Sequence, residues 1–132
     1  MTMKLTCLIS AALFGLILAA PASAQSPPAI KRTPLQTFDV PNTAYQTVIG
    51  LAELAPATNI GKHTHFGVES GYVLEGELTL LVEGQPPKPL KPGESYVIGP
   101  GAAHDARSGA GGAKIIATYV VEKGKPLVTP AP

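Results

Sequence analysis

Glycine or proline interrupts every stretch of about a dozen residues between positions 35 and 121, so no segment there sustains a helical period. The chain of 132 residues carries 14 glycines and 14 prolines, and such punctuation favours short strands joined by turns. Strand signals come in bursts: Leu35 to Val40, Tyr45 to Leu54, Ser70 to Leu74, Glu77 to Val82, Glu94 to Ile98 and Ala113 to Val121. Glu75-Gly76 reads as a hairpin turn with Gly76 supplying a positive φ. The spacing predicts a single all-β domain, sandwich or barrel, with no internal repeat.

The ends differ in character. Lys4, the uncharged run Leu5 to Ala20 and the small-x-small triplet Ala22-Ser23-Ala24 read as a secretory signal, residues 1–24, cut after Ala24. The run is short for a membrane span. Export to the periplasm or outside the cell is therefore expected, with no membrane attachment after cleavage. Cleavage removes Cys7, the only cysteine, so the remainder forms no disulfide and offers no thiolate. Residues 25–34 read as an extended lead-in, 35–121 as the body and 122–132 as a loose C-terminal tail. The cleaved chain would hold nine basic and nine acidic residues, which gives nothing to grip a phosphate backbone. Nucleic acid is excluded as a partner.

Two segments are apolar on both faces. In 48–54, Val48, Ala52 and Leu54 oppose Ile49 and Leu51. In 115–121, Ile115, Ala117, Tyr119 and Val121 oppose Ile116 and Val120. A small antiparallel sheet normally leaves one face wet. A covered outer face points to a homodimer, or else to a terminal segment folded over it.

The chemistry-bearing residues are the three histidines. His63 and His65 stand two apart, so on a strand both imidazoles face one side. Glu69 follows across Gly67, and His104 comes after the turn Pro100-Gly101. Convergence of the four would make a metal site of imidazole and carboxylate donors. Parity turns Lys62, Thr64, Phe66, Asp105 and Arg107 away from it. Tyr45, Tyr72, Tyr96, Tyr119 and Glu53 remain unplaced as acid or base candidates, packing being the simpler role for each tyrosine.

These residues resemble the two motifs of the cupins. His63-Thr64-His65, Glu69 and Gly76 fit the first motif, with Ala57 where a leading glycine is expected. Gly93, Gly101 and His104 fit the second, with Gly99 in place of proline and Ser108 in place of asparagine. The resemblance spans 35–121. It implies a double-stranded β-helix, or jelly-roll barrel, with His63, His65, Glu69 and His104 as ligands of one divalent transition metal: Fe, Mn, Ni, Co or Zn. It also implies a small organic substrate in the barrel mouth, handled by dioxygenase chemistry or by Lewis-acid isomerase or lyase chemistry. The alternative is a non-catalytic module that binds a metal or small ligand.

Overall fold

A computed structural model describes residues 29–132. Among them are eight strands and no helix: β1 (Ile30–Asp39), β2 (Tyr45–Leu54), β3 (His63–Thr64), β4 (Gly67–Val82), β5 (Lys88–Leu90), β6 (Ser95–Ile98), β7 (His104–Glu122) and β8 (Thr129–Pro130). All pairings are antiparallel and belong to one sheet that curls on itself. The all-β architecture matches the expected jelly-roll barrel. The expected signal, residues 1–24, lies outside the described residues.

β4 and β7 are the frame. They pair along almost their whole length, from Gly67↔Val121 to Val82↔His104. The second half of β7 also holds β2, which holds β1. The first half of β4 holds β6 and its second half holds β5. Inward positions alternate along each strand. The enclosed core includes Leu54, Val73, Leu78, Leu80, Leu90, Ile98 and Ile115.

The structure differs from the sequence reading in three places. Glu75-Gly76 is not a hairpin. β4 runs through it, with register shifts against β7 at Val73/Glu75 and Gly76/Leu78. Gly76 does take a positive φ of 73°, but as part of a bulge that bends a continuous strand. Second, the lead-in is not separate: Ile30 to Pro34 form the first half of β1, against Leu54 to Gly50. Pro34 is tolerated because β1 is an edge strand with a bulge between Pro34 and Gln36. Third, the tail is not loose. Thr129 pairs with Thr64 and Pro130 with His63. Lys125 lies 5.3 Å from the Phe66 ring centroid.

The motif departures also have a structural account. Ala57 adopts φ 50°, the left-handed region a glycine would occupy without strain. Ser108 is buried; its hydroxyl donates to the Ala55 carbonyl (2.6 Å) and accepts from the Thr58 amide (2.9 Å). It thereby ties the loop before His63 to β7.

Candidate metal centre

The expected ligand set converges. His63 and His104 are direct cross-strand partners on β3 and β7, with ring centroids 4.2 Å apart. His65 follows β3 on the same side, its ring centroid 4.8 Å from that of His63. Glu69 projects from β4 opposite Tyr119 of β7 and Ile98 of β6. One potential ligand atom from each of His63, His65, Glu69 and His104 lies within 4.8 Å of the others, and all four side chains are buried. A single ion with bonds of about 2.1 Å places opposite donors about 4.2 Å apart, so the cluster has the dimensions of a metal site.

The hydrogen bonds orient the histidines for that role. His63 Nδ1 meets the Gly61 carbonyl (2.7 Å), His104 Nδ1 meets the Ala102 carbonyl (2.9 Å), and His65 Nδ1 meets the Leu127 carbonyl. A carbonyl only accepts, so each Nδ1 carries its proton and each Nε2 is turned toward the shared centre. A backbone carbonyl behind each imidazole is the usual support of a metal ligand. The Leu127 carbonyl comes from the C-terminal segment, so that segment holds a site residue in place. Sequence parity carries no signal for such a long-range backbone contact.

The polar balance of the centre is incomplete without a cation. Glu69 Oε1 accepts from the Tyr96 hydroxyl (2.7 Å), and Oε2 accepts from His104 Nε2 (3.1 Å). His65 Nε2 lies 2.8 Å from the same Oε2, yet it is buried without a hydrogen-bond partner. The contact is close but misdirected for a hydrogen bond. An orphaned imidazole nitrogen beside a carboxylate oxygen is what a divalent ion would satisfy. His63, His65, Glu69 and His104 can therefore hold a metal ion, and the donor set fits it.

The same contacts set the titration of the centre. Burial raises the Glu69 carboxyl, but the hydrogen bonds from His104 and Tyr96, with the His65 imidazole close by, outweigh it and hold the group at about 2. Burial pushes His63 down. Burial also opposes the charge on His104, but the hydrogen bond to Glu69 overrides it and raises that imidazole. Tyr96 is raised by its burial and by the Glu69 charge, and Tyr119 likewise, so both phenols stay neutral.

A pH dependence follows for the metal-free protein. The depressed Glu69 contributes stability above about 4.5, of order 3 kcal/mol, which is lost as pH falls toward 2. The lowered His63 contributes stability that declines as pH falls below 6.5. The raised His104 contributes stability below 6.5 that is lost as pH rises through its folded value. Thermal melts of EDTA-treated protein should therefore peak near pH 6.5 and fall most steeply on the acid side. A melting temperature that is flat or rising toward pH 3 would contradict these assignments.

The structure also places the remaining candidates. Tyr96 and Tyr119 face the centre; the Tyr119 ring packs edge-on to His65 at 4.9 Å. Tyr96 reaches Glu69 because Gly71 leaves room, a Cβ there falling 2.2 Å from the Tyr96 ring. Tyr45 and Tyr72 are exposed, and Glu53 pairs with Lys31 at 3.0 Å. Those three play no part in the centre. Small cavities beside the cluster, of about 30 and 170 Å³, are both lined by Arg32, Ala52, Ala117, Tyr119 and Val128. Arg32 did not emerge from sequence reasoning, because its strand read as a lead-in.

Comparison with known proteins supports the fold. The cupin domain profile matches residues 50–122. No curated protein matches the chain by sequence. Among solved structures, a cupin superfamily protein from Desulfitobacterium hafniense matches with a TM-score of 0.60 at 18% identity, covering 70% of this chain and 78% of that one. KdgF from Halomonas sp. matches with a TM-score of 0.60 at 19% identity, covering 76% and 86%. The DMSP lyase DddQ from Ruegeria pomeroyi matches with a TM-score of 0.60 at 20% identity and 64% coverage of this chain. This chain spans only 43% of that lyase. At these identities the likeness is one of fold.

Proposed function

This chain belongs to the cupin family, and on that footing we propose that it is a metal-dependent enzyme acting on a small organic molecule in the barrel cavity. The observation that carries the reading is the convergence of three carbonyl-backed imidazoles and one carboxylate, with His65 Nε2 left without a partner. Apart from the expected metal ligands, the cavity lining offers no free side-chain base among the described residues. Glu69 is fully engaged, and Tyr96 and Tyr119 are held neutral. The chain's own groups therefore orient the ligand and hold protons, while Tyr119 presents a phenol at the cavity wall. A bound divalent ion would supply Lewis-acid polarisation of a substrate carbonyl or, if redox-active, electron transfer to dioxygen. The DMSP lyase among the structural neighbours supports a small substrate.

Metal analysis of the purified protein, followed by turnover screens with and without oxygen, tests the reading. Stoichiometric metal and metal-dependent turnover are expected. Oxygen uptake assigns dioxygenase chemistry, and anaerobic turnover assigns isomerase or lyase chemistry. Metal-independent ligand binding with no turnover would make the protein a binding module.

Two further parts of this reading concern location and assembly. The Lys4 to Ala24 pattern supports export with cleavage before Gln25. Intact-mass measurement on protein from the native host checks it, a retained Met1 being the contrary result. Val68, Tyr72, Leu74, Val97 and Val120 stay exposed at 37–70% on the outer sheet face. None of the described terminal segments pairs over that face, which supports a second copy as its cover. Light scattering should give a dimer mass, and Val97→Asp should shift it toward the monomer.

A further inference from the structure

We propose that Arg32 and Tyr119 form an anion-binding subsite beside the metal cluster, and that the molecule held there is a small organic carboxylate with an apolar body. The inference rests on the reading of the cavity as a substrate site and names the class of its occupant.

On β1, Lys31 faces outward opposite Glu53 and pairs with it at 3.0 Å. Arg32, one residue on, lies opposite Ala52 and lines both small cavities, with part of its side chain exposed to solvent. Among the described residues, Arg32 makes no ion pair and no side-chain hydrogen bond. The one carboxylate lining either cavity is Glu69. Both of its oxygens are already committed to Tyr96 and His104. The guanidinium is permanently charged and presents a planar fork that matches a carboxylate. Partly open to solvent, it stands at the cavity wall without a carboxylate partner among the described residues.

Tyr119 supplies the second donor. Its ring shares both cavities with Arg32 and packs against His65. Its hydroxyl makes no hydrogen bond among the described residues. A phenolic hydroxyl can donate to a carboxylate oxygen. The surrounding wall of Ala52, Ala117, Leu127 and Val128 is apolar. Two donors at one end of an apolar cavity select a small molecule with one charged end.

The test compares sodium butyrate with butyramide, which matches its size without the charge. The chain has two arginines, so the Nε–H signals in ¹H–¹⁵N spectra are few, and Arg107, exposed and turned away, is an internal control. The titrations are run on the full protein with and without zinc. Butyrate should shift the Arg32 signal and bind at least about tenfold more tightly than butyramide. Arg32→Ala should reduce that preference to within about twofold, Arg32→Lys should keep part of it, and zinc uptake should match wild type in both. Equal binding of butyrate and butyramide, or a preference that survives Arg32→Ala, overturns the subsite. A butyrate preference without zinc uptake keeps the subsite and removes the metal centre. Zinc uptake without a preference does the reverse.

Discussion

Replacing His104 with alanine is expected to cut the affinity for a divalent ion by well over 100-fold while leaving the β-sheet circular-dichroism signal intact. Changes to residues behind a metal ligand already cost about 10- to 100-fold, and His104 would be a ligand itself. The fold should survive for a separate reason. Leu54, Val73, Leu78, Leu80, Leu90 and Ile115 form a core that does not depend on the centre. The loss of His104 packing and of its bonds to Ala102 and Glu69 is partly offset, because a crowded set of imidazoles no longer has to be buried together. The net change in the stability of the metal-free protein should be under about 2 kcal/mol. Isothermal titration with zinc and a denaturant melt read the two effects separately. If His104→Ala unfolds the protein, and a chelator does the same to wild type, the ion holds the fold together. A fully coordinated structural ion leaves no open position for substrate, and the enzymatic reading would lose its basis.

Gly76→Ala should be the most damaging single methyl group in the barrel, costing about 2–5 kcal/mol. Two costs add. The residue sits at φ 73°, where a side chain is penalised by about 1–2 kcal/mol. An added Cβ would also fall 2.1 Å from the Gly112 carbonyl oxygen. That neighbour is backbone and cannot rotate aside, so β4 and β7 must separate at the bend, at an overpacking cost of about 1–3 kcal/mol. Urea denaturation measures it. A loss under about 1 kcal/mol would mean that the bulge relaxes freely and that Gly76 is not fixed by close strand approach.

That glycine also marks the limit of what the residues alone reveal. A positive φ at Gly76 was legible, because Glu-Gly between two apolar runs is a turn signal. Whether the chain turns back or only bends is decided by what lies across from it. The partner is Ala113 of β7, with the glycine-rich stretch 109–112 just before it, in contact with Gly76 though far from it in sequence. Local punctuation carries no information about that pairing. The same blindness hid the role of the ends. Pro-rich composition made 25–34 and 122–132 look unstructured, yet prolines are permitted on edge strands, and both segments add such strands to the barrel.

The convergence of His63, His65, Glu69 and His104 was legible because part of its signal is short-range. His63 and His65 two residues apart define a shared face by strand geometry alone, and the chain has only one other histidine to join them. The supporting residues are not encoded that way. Tyr96 reaches Glu69 only because Gly71 is small and β6 pairs with β4. Leu127 contributes a carbonyl, which every residue possesses. Arg32 is one of two adjacent cations, and only the pairing register of β1 decides which of them reaches the cavities.

One divalent ion is expected to bind through His63, His65, His104 and Glu69, with each imidazole coordinating by Nε2. Long-range ¹H–¹⁵N spectra of the imidazoles during a zinc titration test it directly, since the chain contains three histidines and no others. The account predicts that all three Nε2 signals move together and saturate at one zinc per chain, while each Nδ1 keeps the signature of a protonated nitrogen bonded to a carbonyl. Saturation with any of the three Nε2 signals unmoved, or coordination through Nδ1, would contradict it.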